Sequence, residues 1–351
     1  MLRCGSTSRS SEATTVGRER RDESTAAPQV TAVGAAAVDE WYAVSNIPEP
    51  DGGAFAHDVT AAPGGVGANV AVALDRLGRD VGLVSRVGDD EYGRRATAWL
   101  ADTGVDTDRV VVGDEPTTRS LVLRDPTGER AIVTTGESFR SLQLDDATLE
   151  RTLESEVVFV TAYTPDRVAR RLLDAVVSQA AGVRPALVFD LSGPVTELVG
   201  RGTAPETIHG YVHHADLFVA GGVAAPAYFG SDAAAIERLS QVRMTEVGPA
   251  VLTHGTEGMT AIVDGGVRRY DAFDVDVVDT TGAGDAFIAG LIDRWLLAEG
   301  PSDASNSIDD AVRFAAAVAA INCTERSTQA GLPTREIVQR FLAKRGCGVD
   351  E

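Results

Sequence analysis

The segment Asp279-Thr280-Thr281-Gly282-Ala283-Gly284-Asp285 follows an apolar, strand-like stretch and runs straight into a helical one. At a helix N-terminus the first amides have no intrahelical partner and the dipole is positive. Gly282 and Gly284 bring no side chain that would keep a phosphate away from those amides. The result is an anion hole suited to the charge that builds on a transferring phosphoryl group. Asp285 enters the same place, where a carboxylate can take the proton of an attacking hydroxyl. The plainer alternative is a glycine-rich turn that Asp285 merely caps. Two threonines, two glycines and a second carboxylate within the same turn weigh against it.

A second cluster, Pro63-Gly64-Gly65-Val66-Gly67-Ala68-Asn69, leads into a helix that closes at Leu77-Gly78. Its glycines allow backbone amides to approach a ligand, and Asn69 offers a donor and an acceptor to a hydroxyl. Alone it reads only as a flexible start to a helix. Neither cluster is a dinucleotide fingerprint, because Val70 and Phe287 stand where the third glycine is required. A Walker loop is excluded, since Lys344 is the only lysine and no such loop precedes it.

Other metal or redox chemistry is not signalled. Cys4, Cys323 and Cys347 are widely spaced and form no C-x-x-C pair. His209 and His213 stand four apart with neither an adjacent glutamate nor a third ligand, and read as surface histidines.

The elements that must hold these residues follow from periodicity. Val30–Ala37 reads as a first buried strand, and Val38–Thr60, with Pro48, Pro50, Gly52 and Gly53, as turn-rich with short strands at most. Helices are predicted at Gly67–Leu77 and Tyr92–Ala101 around a strand at Val81–Ser85. A β-rich stretch follows at Arg109–Val112, Thr118–Arg124 and Arg130–Thr134. From Val157 short apolar strands alternate with helices (strands Val157–Val160, Ala186–Phe189, Leu217–Val219, Ala250–Thr253), which argues for a parallel sheet covered on both faces. A hairpin over Met259–Tyr270 and helices at Ala283–Leu297, Ile308–Asn322 and Thr334–Lys344 complete the chain. This gives one α/β domain over 29–345, with a small β excursion from about 38–60 and 109–136. An N-terminal extension (1–28) is expected to be disordered, and a short tail covers 346–351.

The net charge is -20, from 32 basic and 52 acidic residues. Such a surface repels nucleic acid and anionic membranes, so neither is an expected partner. Acidity, scarce lysine and abundant small residues together favour adaptation to high salt and a halophilic archaeal source; a GC-rich genome is the blander explanation. No apolar run approaches the ~18 residues needed to span a bilayer, and the polar N-terminus lacks the apolar core of a secretory signal. A cytoplasmic protein is expected.

Taken together, the motifs resemble the PfkB (ribokinase-like) carbohydrate kinases. The first family signature is matched by Gly64-Gly65-x-Gly67-x-Asn69-x-Ala71 and the second by Asp279 to Phe287. Gly88-Asp89-Asp90-x-x-Gly93 and Thr253-x-Gly255-x-x-Gly258 match further family stretches. The resemblance covers about Val30 to Gln339. It implies a three-layer α/β/α sandwich with a mainly parallel central sheet and a small β lid, and phosphorylation of a sugar, sugar acid or sugar phosphate by ATP with Mg2+ and K+. Asp285 would be the general base and Gly282, Ala283 and Gly284 the anion hole. Asp39, Gly65 and Asn69 would bind the acceptor, and Thr253, Gly255 and Gly258 the nucleotide. Asp279 and Thr281 would hold a monovalent cation. A homodimer through the lid edges is expected on separate grounds, because unpaired strands at the edge of a small sheet need cover.

The chain departs from the family at several positions. Where the family carries Asn-x-x-Glu, this sequence reads Ala220-Gly221-Gly222-Val223-Ala224-Ala225, which leaves magnesium to the nucleotide phosphates and water or to another acid such as Asp190. Val66 replaces a common lysine or polar residue, Gly136-Glu137-Ser138 the usual Gly-Ala-Asn, and Asp190-Leu191-Ser192 the usual Asp-Pro-Asn. Two alternatives stay open: a nucleoside kinase, and a catalytically weak or silent relative that binds a sugar or nucleotide and regulates.

Overall fold

The computed structural model describes residues 26–180, 182–243, 248–297 and 307–346. Cys4, Cys347, most of the N-terminal extension and nearly all of the C-terminal tail lie outside the described residues.

In chain order the elements are β1 (Val30–Val33), β2 (Ala37–Val44), β3 (Ala56–Gly64), α1 (Val66–Arg76), β4 (Val81–Gly88), α2 (Glu91–Ala101), β5 (Val110–Gly113), β6 (Arg119–Arg124) and β7 (Arg130–Thr135). There follow α3 (Asp146–Leu153), β8 (Val157–Thr161), α4 (Asp166–Val177), β9 (Ala186–Asp190), α5 (Val195–Gly200), α6 (Pro205–His214), β10 (Leu217–Gly221), α7 (Ala224–Phe229) and α8 (Asp232–Val242). The described chain closes with β11 (Ala250–Thr253), β12 (Met259–Val263), β13 (Gly266–Tyr270), α9 (Ala283–Leu291), α10 (Ile308–Asn322) and α11 (Arg335–Lys344).

Nine strands form one sheet in the order β13-β12-β11-β10-β9-β8-β1-β4-β5, parallel throughout except for β12 and β13. The strands read as unbroken apolar runs because both faces are buried. Val157 and Phe159 join one core with Val188, Leu217 and Val219, whereas Val158 and Val160 join the other with Leu187, Phe189 and Phe218. That alternation is the two-residue pleat with helices packed on each side. The first core is filled by α1, α9 and α10, the second by α4, α6 and α8. Chain order reverses at β1, which lies between β4 and β8. In open α/β sheets ligands bind beyond the strand C-termini at such a reversal.

A second, four-stranded sheet runs β3-β2-β6-β7. Here the structure corrects three expectations. The first strand is two: β1 stops at Val33 and β2 begins at Ala37. The segment 38–60 is no set of short strands, since β2 spans 8 residues and β3 spans 9; its prolines and glycines fall in the connection between them. Of the segment 109–136, only β6 and β7 join the small sheet, because β5 pairs in parallel with β4 at the edge of the large one.

The long C-terminal helix predicted at Ala283–Leu297 also changes character, ending its α-helical part at Leu291 and continuing as one π-helical turn over Ile292–Leu296. That turn carries Asp293, whose side chain is 0% exposed and meets Arg79 Nε at 2.6 Å and the Arg335 guanidinium. A buried carboxylate is tolerable only with such partners. The pairing ties α11 and the end of α1 to the helix that carries the candidate site.

Candidate active site

Gly282 is the N-cap of α9 in the left-handed region, φ 77, which favours glycine. A Cβ there would also come within 2.7 Å of the Thr328 carbonyl oxygen. A Cβ on Gly284, by contrast, would meet nothing within 4 Å, so the space over the first turn is open. The Ala283 amide makes only a 3.3 Å bond to Thr280 O, and the amides of the first turn have no partners within the helix.

Asp285 sits in that first turn, and Asn69, from the second residue cluster, donates Nδ2 to its Oδ2 at 2.7 Å. Asn69 is itself held by Gln329 Nε2, which donates to its Oδ1 at 2.9 Å. The two glycine clusters, 216 residues apart in sequence, thus meet through one hydrogen bond. Burial pushes the Asp285 carboxyl up to about 8; the Asn69 bond pulls it down, and the carboxylates of Asp190 and Asp39 push it further up. The residue as a whole is half-buried, so the turn that carries it is not sealed from solvent.

Asp39 lies on β2 and is 6% exposed. Burial raises it to about 6 against a lowering hydrogen bond from Ser120, its neighbour across on β6. Gly64 leaves room for it, since a Cβ there would fall 2.2 Å from the Asp39 carboxyl carbon and displace the carboxyl. Gly65, φ 92, turns the chain from β3 into α1. Asp190 closes β9 beside Thr161 and Val219. It too is raised to about 6, by burial, and accepts from the Ser192 hydroxyl.

Thr253 ends β11 and pairs with Gly221 at the end of β10, which places the proposed nucleotide turn beside the Ala220–Ala225 segment. Gly255 (φ 61) has open space around it, whereas a Cβ on Gly258 (φ 94) would strike Tyr270 O at 2.0 Å. Gly258 is therefore needed for the β12–β13 hairpin whatever binds nearby. Gly88-Asp89-Asp90-x-x-Gly93 has a structural role: Asp90 caps α2 through Gly93 N at 2.8 Å and also holds Thr117.

Asp279 is buried; its two carboxylate oxygens accept from the amides of Thr281 (3.0 Å) and Ser327 (3.2 Å). Thr281 Oγ1 and Asn322 Oδ1 are buried oxygens without a hydrogen-bond partner. Unpartnered oxygens beside a carboxylate are the donor set that a hard monovalent cation takes. For magnesium the protein offers less. No acid stands in Ala220–Ala225, and among the described residues no group of three or more His, Cys, Asp or Glu side chains could hold a metal. His209 and His213 lie on α6 with ring centroids 4.3 Å apart and rings tilted at 57°, His209 exposed and His213 half-buried.

A cleft of about 930 Å³ runs from Gly65 and Val66 at the start of α1 out between the small sheet and α4. Sequence reasoning did not find several of its residues or their supports: Tyr163, Arg140, Arg167, Arg201, Gln329 and Thr328. Thr328 donates to Pro63 O at 2.6 Å, and so clamps the first glycine cluster from the far end of the chain. Isolated residues of this kind carry no spacing signal.

A parallel α/β sheet, a glycine-opened helix N-terminus at its C-terminal edge and a carboxylate in the first turn define a phosphotransferase that acts on a hydroxyl. Comparison with known proteins agrees. The family described as pfkB family carbohydrate kinase matches residues 27–335. An ATP-dependent ribose-1-phosphate kinase of Halopiger xanaduensis is 29% identical over 88% of this chain and 95% of its own length. A ribokinase of Haemophilus influenzae is 28% identical over 89% of this chain and 98% of its own. The structure of Arabidopsis thaliana ribokinase complexed with ribose and ATP superposes with a TM-score of 0.74 at 22% identity, over 90% of this chain and 99% of that one. The chain belongs to the PfkB family of carbohydrate kinases, and its fold is ribokinase-like. No helix among the described residues is long and apolar enough to cross a membrane.

Proposed function

We propose that the protein transfers the γ-phosphoryl group of ATP to a hydroxyl of a sugar, sugar acid or sugar phosphate, with Asp285 as general base. The acceptor hydroxyl attacks the γ-phosphorus. The new O–P bond forms as the bond to the β–γ bridging oxygen breaks, the hydroxyl proton passes to the Asp285 carboxylate, and ADP leaves. Amides of Gly282 to Gly284 receive the negative charge that spreads over the transferring oxygens. Asp39, Gly65 and Asn69 orient the acceptor, and Asn69 also fixes the Asp285 carboxylate in place. Thr253, Gly255 and Gly258 line the nucleotide. The observation that carries this reading is the 2.7 Å Asn69–Asp285 bond, which puts a hydroxyl-binding amide and a carboxylate of raised basicity at one helix N-terminus.

Potassium fits Asp279, Thr281 and Asn322 through their buried oxygens, and would add fixed positive charge behind the anion hole. Magnesium would supply charge neutralisation of the phosphates; with no acid in Ala220–Ala225 it would be held by the nucleotide and water, or by another acid such as Asp190. A cytoplasmic, potassium-rich setting suits both cofactors. The salt-adapted origin read from the -20 charge sits well with the Halopiger relative. β3 and β7 are the outer strands of the small sheet, with Val59 and Val133 exposed on them. We therefore keep the homodimer, which sedimentation velocity checks; a monomer at micromolar concentration rejects it.

The absence of a metal anchor at Ala220–Ala225 favours a second reading, a silent relative that only binds sugar or nucleotide. ADP release measured with magnesium across sugars, sugar acids, sugar phosphates and nucleosides, from low to molar KCl, separates the two. Turnover of at least one carbohydrate, strongest in molar KCl, is expected. Turnover of nucleosides alone would move the acceptor class, and silence with every acceptor would leave the binding role.

A further inference from the structure

The cleft that begins at Gly65 and Val66 ends among three arginines from three separate segments. Arg140 lies in a single 3-10 turn (Phe139–Ser141), Arg167 in the first turn of α4, and Arg201 at the C-cap of α5. Their present partners are weak. Arg140 pairs with Glu137 at 3.1 Å, both side chains more than half exposed. Arg201 meets Glu197 at 2.6 Å and Thr134 Oγ1 at 3.0 Å, and lies 4.8 Å over the Tyr163 ring. Arg167 makes one bond to the Leu142 carbonyl at 3.1 Å and, among the described residues, has no carboxylate partner.

Exposed neighbouring pairs of this kind contribute little and exchange readily. Glu137, Glu197 and Asp166 also line the cleft. Asp166 is already occupied by Arg170 and by the Ala204 amide. Three arginines against three carboxylates make this wall neutral, in a chain whose net charge is -20. Tyr163 lines the same cleft as Gly65 and the three arginines. Burial raises the Tyr163 hydroxyl to about 12, with the Glu197 carboxylate adding to it and those of Asp190 and Asp285 adding less, and the Arg201 guanidinium covers its ring.

We propose that Arg140, Arg167 and Arg201 bind an anionic group, phosphate or carboxylate, carried by the acceptor at the end remote from the reacting hydroxyl. The proposal rests on the kinase reading for which end of the acceptor reacts. The guanidinium fork matches both anions with paired, charge-assisted hydrogen bonds, which a neutral sugar cannot accept. Arg167 provides the unpaired cation, while Arg140 and Arg201 exchange their glutamates for the ligand. The two arms of the test separate a phosphorylated sugar from a sugar acid.

The experiment takes one neutral sugar, its phosphomonoester and its sugar acid, and measures ADP release and, by calorimetry, binding to the full chain. One of the two anionic acceptors is expected to bind at least tenfold more tightly than the neutral sugar, and which one does so identifies the anion. Arg167→Ala is expected to weaken that acceptor by about 10- to 100-fold and leave the neutral sugar unchanged. Arg167→Lys should restore only part, as lysine is a point charge without the fork. Equal binding of neutral and anionic acceptors, unaltered in Arg167→Ala, overturns the proposal even where turnover upholds the kinase. Binding that depends on the anion and on Arg167, with no ADP release from any acceptor, upholds anion recognition and removes the kinase reading instead.

Discussion

Asp285→Asn is expected to lower kcat by about 10²- to 10⁴-fold, the usual contribution of a positioned general base, with binding of nucleotide and acceptor largely kept. The amide has nearly the shape of the carboxyl, so the change removes the proton acceptor and little else. It leaves the 2.7 Å contact with Asn69 available, because the new amide can turn its oxygen toward Asn69 Nδ2 while Gln329 keeps Asn69 in place. The pH dependence gives a second handle. A base raised to about 8 is mostly protonated at neutral pH, so kcat/KM should climb with pH until Asp285 is ionised and then level. Stability runs the other way. Because the folded pKa lies above the unfolded one, the favourable contribution of Asp285 is complete below about pH 4 and is lost as pH rises through about 8. Asp285→Asn has no such loss, so its melting temperature should exceed that of the parent at pH 8 and not at pH 4. Near-normal turnover in the variant would remove the base assignment, and a flat stability difference would show that the carboxylate is not desolvated.

The two glycines of the turn are expected to separate folding from catalysis. Gly282→Ala must hold alanine at φ 77, a conformation that costs an L-residue roughly 1–2 kcal/mol, and must move the Thr328 carbonyl that would lie 2.7 Å from its Cβ. Thr328 also clamps Pro63 and so the first glycine cluster. Both stability and activity should fall. Gly284→Ala meets nothing within 4 Å in the protein and sits in helical conformation. Its melting temperature should equal or slightly exceed the parent's, since alanine is the better helix former. Yet on the proposed mechanism its methyl group would occupy the space of the transferring phosphoryl group, and a fall in kcat of about 10²- to 10³-fold is expected, the scale of losing an oxyanion-hole contact. Thermal melts beside single-turnover assays check both variants. A Gly284→Ala protein with full activity would mean that no phosphate approaches that turn.

The arginine wall is invisible in the sequence for the same reason as Gln329 and Thr328. Arg140, Arg167 and Arg201 are three among many arginines, and nothing in their spacing marks them until α4, α5 and the small sheet close on one cleft. The extent of the small sheet is hidden for a related reason. Pro48, Pro50, Gly52 and Gly53 dominate the local signal, but they occupy only the turn, and β2 and β3 are long because they pair with each other. Likewise β5 resembles its neighbours β6 and β7 in composition, and only its pairing with β4 assigns it to the large sheet.

The Asp279–Asp285 turn was legible because its chemistry is local. Two glycines and a carboxylate within one turn make a helix N-terminus with a carboxyl group in its first turn, wherever the rest of the chain goes; the strand expected before it is absent, since the chain between Tyr270 and Ala283 forms no strand. The apolar strand runs were legible because burial on both faces leaves a continuous pattern. What the turn acts with was decided by tertiary structure alone. Asn69 lies 216 residues before Asp285, and Gln329 lies 260 beyond Asn69. Contacts at such separations depend on strand order and helix packing, which impose no spacing on the residues they bring together. The rise in the Asp285 pKa has the same origin, since it comes from the protein packed around the carboxyl and from Asp190 on β9 and Asp39 on β2.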